Sequence, residues 1–325
     1  MPALKFARCR IRTRIHSLVL CTAVGMAAPL ALSQNAQSET SKPLIPQRTH
    51  EDWAERQRSQ DWATQKLAKS SLHGEWVAIP NGNRTLRAFV IYPEVQKKVP
   101  VVLVLHEVFG LTDSTRNTAD EIAAMGYITI APDMLSGRGP NGGDVESFEG
   151  PHAASEALTG LSDESVNRDL NAWADYGSKL PGSNGTFAVV GLSWGGGAAF
   201  RYAANVQRSD LKAVCVFYDI GPPAETQRYS GAPGSISVAS IHVPVYGFYG
   251  ATDKRPLVTL DATKAAMTAA GKFYEPVVYD GADHAFMRVG EDPTAITPAN
   301  AAAVKKSLAR LQEILKTMSR VSTPR

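Results

Sequence analysis

Three residues in this sequence have side-chain types that together could perform nucleophilic catalysis: Ser193, Asp253 and His284. Ser193 lies in "GLSWG", which fits G-x-S-x-G, directly after the apolar run "TFAVV" and directly before the helix-like "WGGGAAFRYAA". A tight strand-to-helix turn at this point would expose the hydroxyl, and Gly191 and Gly195 would avoid side-chain collisions around it. Because a serine hydroxyl attacks poorly without a base, the pattern predicts a nucleophile that depends on a distant histidine.

The candidate base and its acid follow at the ends of later predicted strands. Asp253 comes just after "VPVYGFYG", and His284 comes just after "FYEPVVY". Since parallel strands end at one edge of a sheet, we expect the three side chains to meet there. His284 would then take the Ser193 proton, and Asp253 would fix the tautomer of the imidazole. Asp280 is the alternative acid.

The third predicted strand ends in "LHEVFG", where we expect one of two oxyanion donors. The other is the backbone N–H of Trp194, directly after the serine. His106 and Glu107 raise the alternative of a metal site, but Gly110 stands four residues after His106, so H-E-x-x-H is not met. No other histidine and carboxylate cluster has ligand spacing. We therefore predict no metal and no cofactor.

The elements that must position these residues alternate along the chain. Apolar strands such as "VPVVLVL" are separated by helices, and an antiparallel hairpin around "NGN" precedes them from residue 74. This pattern predicts an α/β three-layer sandwich with a mostly parallel central sheet. Two irregular insertions, 133–160 and 219–242, begin at the carboxyl ends of strands, where open parallel sheets bind ligands.

The ends of the chain differ in composition from this predicted catalytic domain over 74–318. Residues 1–33 contain basic residues and then an apolar run that ends "ALSQ", as in a secretory signal peptide. A transmembrane anchor is the alternative, but the run is short and interrupted. Residues 34–73 are predicted to form a polar leader with a helix over "EDWAERQRSQDWATQKLAK", and residues 319–325 a tail. We expect a periplasmic or secreted protein.

Removal of residues 1–33 changes the net charge. That segment holds five of the 34 Lys and Arg residues and none of the 31 acidic ones, which leaves 29 basic and 31 acidic side chains. The formal charge becomes −2 instead of +3, so the charge gives no support for binding nucleic acid or an anionic membrane. We predict a small-molecule partner, no nucleic acid, and no membrane association after cleavage.

The assembled motifs resemble those of the dienelactone hydrolase family of α/β-hydrolases over about 74–315. The similar stretches, in order, are "LHEVFGL", "APDM", "GLSWGGG", "GATDK" and "GADHAFMR". The resemblance implies an α/β-hydrolase fold and an oxyanion hole formed by the backbone amides of Val108 and Trp194. It also implies that Glu107 contacts the nucleophile and that Arg288 binds a carboxylate of the substrate.

Two departures from the family pattern bear on the substrate. Founding members use cysteine where Ser193 stands, so this serine is expected to depend more on His284. They also have a second carboxylate-binding arginine before the nucleophile helix, whereas residues 141–165 contain no Arg or Lys. Arg138 is a possible substitute, although a place on a surface turn is the simpler interpretation. The resemblance thus implies an ester or lactone hydrolase whose substrate need not be a dienelactone.

We therefore interpret the chain as an exported serine hydrolase that cleaves carboxylic esters or lactones through an acyl-enzyme. Phe109 and Phe286 are predicted to line an apolar substrate pocket, with Trp194, Tyr218 and Tyr229 as further candidates. One alternative is a peptidase or acyl-peptide hydrolase with the same triad. The other is a catalytically silent fold that binds a ligand, since fold alone does not determine function.

Overall fold

The computed structural model describes residues 60–221 and 237–318. The predicted signal peptide, most of the leader and the C-terminal tail lie outside the described residues. The strands within them are β1 (His73–Asn81), β2 (Arg84–Tyr92), β3 (Val99–Leu105), β4 (Ile128–Asp133), β5 (Ser183–Leu192), β6 (Leu211–Phe217), β7 (Val245–Gly250) and β8 (Tyr274–Tyr279). They form one mixed sheet in the order β1-β2-β4-β3-β5-β6-β7-β8.

The direction of strand pairing follows from the connections. The two-residue turn between β1 and β2 makes an antiparallel hairpin, and β2 also pairs antiparallel with β4. From β4 to β8 all neighbours are parallel. In the connections β3 to β4, β4 to β5, β5 to β6 and β7 to β8, at least one helix returns the chain to the same end of the sheet. The predicted mostly parallel sheet with an antiparallel N-terminal hairpin is confirmed.

Helices cover both faces of the sheet. They are α1 (Asp61–Leu67), α2 (Asp113–Ala124), α3 (Gly150–Thr159), α4 (Asp163–Ser178), α5 (Trp194–Asn205), α6 (Lys254–Ala269), α7 (Phe286–Val289) and α8 (Pro298–Met318). Alternate side chains of β3 point to opposite faces. Val101, Leu103 and Leu105 pack in one core with α3, α4 and α5, whereas Val102 and Val104 pack in a second core with α2, α7 and α8. This is the predicted three-layer sandwich.

The first insertion, 133–160, is more regular than predicted. It contains short 3₁₀ turns and then helix α3. Pro151 stands in the first turn of α3, where its missing N–H has no helical partner to lose, so the proline starts this helix instead of breaking it. Of the second insertion, residues 222–236 lie outside the described residues. No helix within 60–221 and 237–318 has the length and apolarity needed to cross a membrane.

Candidate active site

The turn between β5 and α5 presents Ser193 in a backbone conformation that is rare for a residue with a side chain. Its φ is 50° and its ψ is −118°, and its N–H donates to the Phe217 carbonyl oxygen at 3.0 Å. A Cβ on Gly191 would lie 2.0 Å from the Gly195 carbonyl oxygen, and one on Gly195 would lie 2.6 Å from the Leu105 carbonyl oxygen. At both positions the backbone of another segment lies so close that only glycine fits. The surrounding contacts keep Ser193 in its strained backbone conformation.

The structure brings Ser193, His284 and Asp253 together at the carboxyl edge of the sheet. Ser193 Oγ is 3.0 Å from His284 Nε2, and His284 Nδ1 is 2.5 Å from Asp253 Oδ2. The Asp253 side chain is 8% exposed and that of His284 is 36% exposed. Solvent is therefore largely excluded from the carboxylate but can reach the imidazole ring. With Nδ1–H donating to the carboxylate, Nε2 is left to accept the serine proton.

The other carboxylates near His284 have different surroundings. Asp280, the alternative acid, is exposed. Asp283 accepts hydrogen bonds from Thr252 Oγ1 at 2.5 Å and from Asn300 Nδ2 at 3.0 Å. Of these candidate acids, it is Asp253 that lies within hydrogen-bond distance of the imidazole.

The two predicted oxyanion positions, Val108 and Trp194, are linked by His106. The His106 ring is fully buried; its Nε2 accepts the Met134 N–H at 3.2 Å, so its Nδ1–H donates to the Glu107 carbonyl oxygen at 2.7 Å. The same ring stacks on the Trp194 indole at 5.7 Å. Burial lowers the pKa of His106 to about 4, so the ring is neutral near pH 7. Within residues 60–221 and 237–318, no cluster of His, Cys, Asp or Glu could hold a metal ion.

Buried Glu107 and partly buried Arg288 form an ion pair beside the three predicted catalytic residues. Arg288 Nε donates to Glu107 Oε2 at 2.9 Å, and Tyr218 Oη–H donates to Glu107 Oε1 at 3.3 Å. The glutamate carboxylate raises the pKa of Arg288, and burial raises the pKa of Tyr218 well above its ordinary value. Arg288 was predicted to bind a carboxylate of the substrate, but its partner in the structure is a carboxylate of the protein itself.

The predicted pocket aromatics occupy different environments. Phe286 is fully buried and packs against Phe217, Tyr218 and Tyr279, so it belongs to the core behind the site. Phe109, next to the predicted oxyanion position at Val108, is only partly buried. Tyr218 also lies edge-on to the His284 ring, with 5.2 Å between centroids. Tyr229 lies outside the described residues.

Sequence reasoning missed two charged residues at this edge, Arg255 and Asp219. Asp219 follows β6, is 2% exposed and accepts the Gly197 N–H at 3.1 Å. Burial raises the pKa of Asp219, and the positive charge of Arg255 opposes that shift. Arg255 Nη2 lies 3.2 Å from His284 Nδ1. Only their positions in the sequence could have indicated these two residues. Asp219 comes just after a strand, and Arg255 comes two residues after the candidate acid.

Comparisons with known proteins identify the family of this chain. A model of the dienelactone hydrolase family matches residues 86–319. A Methylorubrum extorquens protein named "Putative carboxymethylenebutenolidase" is 30% identical over 223 residues, which cover 67% of this chain and 74% of the relative. A Klebsiella pneumoniae crystal structure named "Putative Dienelactone Hydrolase" is 25% identical with a TM-score of 0.64, and the match covers 76% of this chain and 99% of that one.

A further solved structure shows how widely the fold is shared. A Pyrobaculum calidifontis esterase is 18% identical with a TM-score of 0.57, over 82% of this chain and 92% of its own. At that identity the similarity concerns the fold alone. The match of the family model over most of the chain is a stronger finding. This chain belongs to the dienelactone hydrolase family of α/β-hydrolases.

Proposed function

We propose that the protein is a serine hydrolase that cleaves carboxylic esters or lactones through a covalent acyl-enzyme. The observation that carries the proposal is the continuous contact from Ser193 Oγ through His284 to Asp253, with distances of 3.0 Å and 2.5 Å. Membership of the dienelactone hydrolase family, and relatives named carboxymethylenebutenolidase, favour esters and lactones over other acyl compounds.

In the proposed reaction, Ser193 Oγ attacks the carbonyl carbon of the substrate while its proton passes to His284 Nε2. The Asp253 carboxylate stabilises the imidazolium that results. The carbonyl oxygen becomes an oxyanion that accepts hydrogen bonds from the N–H groups of Val108 and Trp194. His284 then returns the proton to the leaving oxygen, and the C–O bond breaks. An ester releases an alcohol, whereas a lactone leaves a hydroxyacyl group on the serine.

The second half of the reaction uses the same groups with water in place of the alcohol. His284 Nε2 accepts a proton from water as its oxygen attacks the acyl carbon, and the returned proton releases Ser193 Oγ. Glu107 is held by Arg288 and by the Tyr218 hydroxyl. We therefore assign activation of the serine to His284, and assign to Glu107 the support of the adjacent Val108 position.

The experiment is a chain-length series of p-nitrophenyl esters, together with a simple lactone and the matched p-nitroanilides. Ser193→Ala should lose about three or more orders of magnitude in kcat, because the nucleophile is removed. Asp253→Asn should also lose activity strongly, because the acceptor that orients His284 is weakened. Asp280→Asn is the matched control and should retain activity. Equal turnover by Ser193→Ala and the wild type would remove the proposal, and faster cleavage of the anilides would indicate a peptidase.

A further inference from the structure

The His106 side chain contacts both segments whose backbone N–H groups are proposed to bind the oxyanion. Its Nδ1–H donates to the Glu107 carbonyl oxygen at 2.7 Å, directly before Val108. Its ring stacks on the Trp194 indole, with 5.7 Å between centroids and 16° between planes. Its Nε2 accepts the Met134 N–H at 3.2 Å, near the start of the first insertion. One buried ring thus joins the end of β3, the start of α5 and the first insertion.

The contact with Glu107 fixes the direction of the Val108 N–H. The Glu107 carbonyl and the Val108 N–H belong to one planar trans peptide unit, so they point in opposite directions. The same carbonyl accepts the Gly110 N–H at 3.3 Å, which closes a turn over residues 107–110. Rotation of this peptide unit would break both hydrogen bonds, and the shorter one, at 2.7 Å, is supplied by His106.

Within the described part of the chain, no backbone or side-chain acceptor takes the N–H of Val108 or of Trp194. Trp194 is the first residue of α5, and the first N–H groups of a helix have no helical partner. Gly195 allows the two segments to approach each other, because a Cβ there would lie 2.7 Å from the His106 carbonyl oxygen. Both N–H groups are therefore available to an oxygen atom of the substrate.

We propose that His106 is a positioning residue that holds the Glu107 carbonyl and thereby keeps the Val108 N–H directed toward the oxyanion position before the substrate binds. This inference rests on the proposed hydrolase function. Donors that are already in place stabilise the transition state without reorganising as the charge forms. His106 acts through the backbone and does not touch the substrate, because its ring is fully buried and both ring nitrogens have partners within the protein.

Two variants of nearly equal shape separate this hydrogen bond from the packing of the ring. His106→Leu has no donor. His106→Asn has an amide nitrogen attached to Cγ, as Nδ1 is in histidine, and this nitrogen can donate to the Glu107 carbonyl oxygen. Both variants lose the ring that stacks on Trp194 and the acceptor of the Met134 N–H. The difference between them therefore reports the contact with Glu107.

The substrates are p-nitrophenyl butyrate and its thiono analogue, in which sulfur replaces the carbonyl oxygen. Sulfur is a weak hydrogen-bond acceptor, so the thiono ester gains little from the oxyanion donors. His106→Leu should lower the ratio of the two kcat/KM values, oxygen ester over thiono ester, by about 10–100-fold. His106→Asn should keep the ratio within about threefold of the wild-type value. Because both rates come from one enzyme sample, an unfolded fraction in that sample does not change the ratio.

Inhibition by a trifluoromethyl ketone adds a readout that does not depend on turnover. The ketone forms a tetrahedral adduct with the serine, and its oxyanion would occupy the proposed hole. The inhibition constant should rise in His106→Leu by about the same 10–100-fold. An unchanged ratio in His106→Leu, or equal losses in His106→Leu and His106→Asn, would overturn the inference while the hydrolase proposal stands. Failure of the wild type to form an acyl-enzyme at Ser193 would instead remove the hydrolase proposal, and this inference with it.

Discussion

Two buried carboxylates in this protein, Glu107 and Asp169, are both paired with arginine, but they are satisfied to different degrees. Asp169 is 2% exposed and accepts hydrogen bonds from Arg84 at 2.6 and 2.9 Å, from Arg138 at 2.8 Å and from Asn81 at 2.8 Å. Glu107 has one arginine donor at 2.9 Å and one longer hydroxyl contact at 3.3 Å. Asp169 is thus surrounded by donors on both oxygens, whereas Glu107 retains capacity to accept more.

The two carboxylates also differ in what they connect. Asp169 joins the β1–β2 hairpin, the start of the first insertion and helix α4, which are elements of the scaffold. Glu107 stands two residues after the end of β3 and precedes Val108, a proposed oxyanion donor. A buried ion pair therefore does not by itself indicate a functional site. Glu107 differs in its position at the carboxyl edge of the sheet, beside the groups proposed to react.

Removal of each charge should sharpen this comparison. Asp169→Asn would leave two largely buried arginines without a counter-ion, and Glu107→Gln would leave one. We expect each to lower the free energy of unfolding by about 3–5 kcal/mol, with Asp169→Asn at the upper end. Denaturant unfolding of the two variants beside the wild type measures this. A loss below about 1 kcal/mol at Asp169 would contradict its assignment to the scaffold.

The same two variants should also differ in kcat/KM. At a temperature where both are folded, Glu107→Gln should lower kcat/KM by about 10–100-fold, because the oxyanion loop and Arg288 shift by a fraction of an ångström. Asp169→Asn should stay close to the wild-type value per folded molecule. Equal kinetic losses in the two variants would break the comparison, since they would show that both pairs act only through the fold.

A smaller effect concerns pH. His106 in the folded protein has a pKa of about 4, below its ordinary value near 6.5, so it gains a proton more readily when the chain unfolds. The stability contributed by neutral His106 is present above pH 6.5 and is lost as the pH falls toward 4. Relative to His106→Gln, the wild type should lose on the order of 3 kcal/mol over that range. The exposed His152 offers a matched control: His152→Gln should show the wild-type pH dependence.

The parts that could be predicted from sequence are those with a local signal. Ser193, Asp253 and His284 each follow an apolar strand, and parallel strands end together, so three local patterns sufficed to bring them to one edge. The Glu107 and Arg288 contact spans 181 residues and depends on side-chain direction, which the pattern does not contain. Phe286 was predicted to line a pocket, but it packs against Phe217, Tyr218 and Tyr279, which lie on two other parts of the chain.

The contact between Arg255 and His284 could not be predicted either, although Arg255 is close in sequence to Asp253. Its place two residues after Asp253 was visible in the sequence, yet a long flexible side chain can reach many partners. The folded structure places its guanidinium 3.2 Å from His284 Nδ1. The helix over 150–159 was missed for a different reason, because Gly150 and Pro151 were interpreted as part of an irregular loop although proline is tolerated in the first turn of a helix.

The most direct test of the account is to trap the acyl-enzyme and locate it. A slowly hydrolysed p-nitrophenyl ester is mixed with the wild type, the reaction is stopped with acid within the first turnovers, and the digested protein is mapped by mass spectrometry. We predict one acyl group on Ser193, no adduct in Ser193→Ala, and a burst of p-nitrophenol equal to the enzyme concentration in the wild type alone. An acyl group on another residue, or full turnover with the Ser193 peptide unmodified and no burst, would contradict the account.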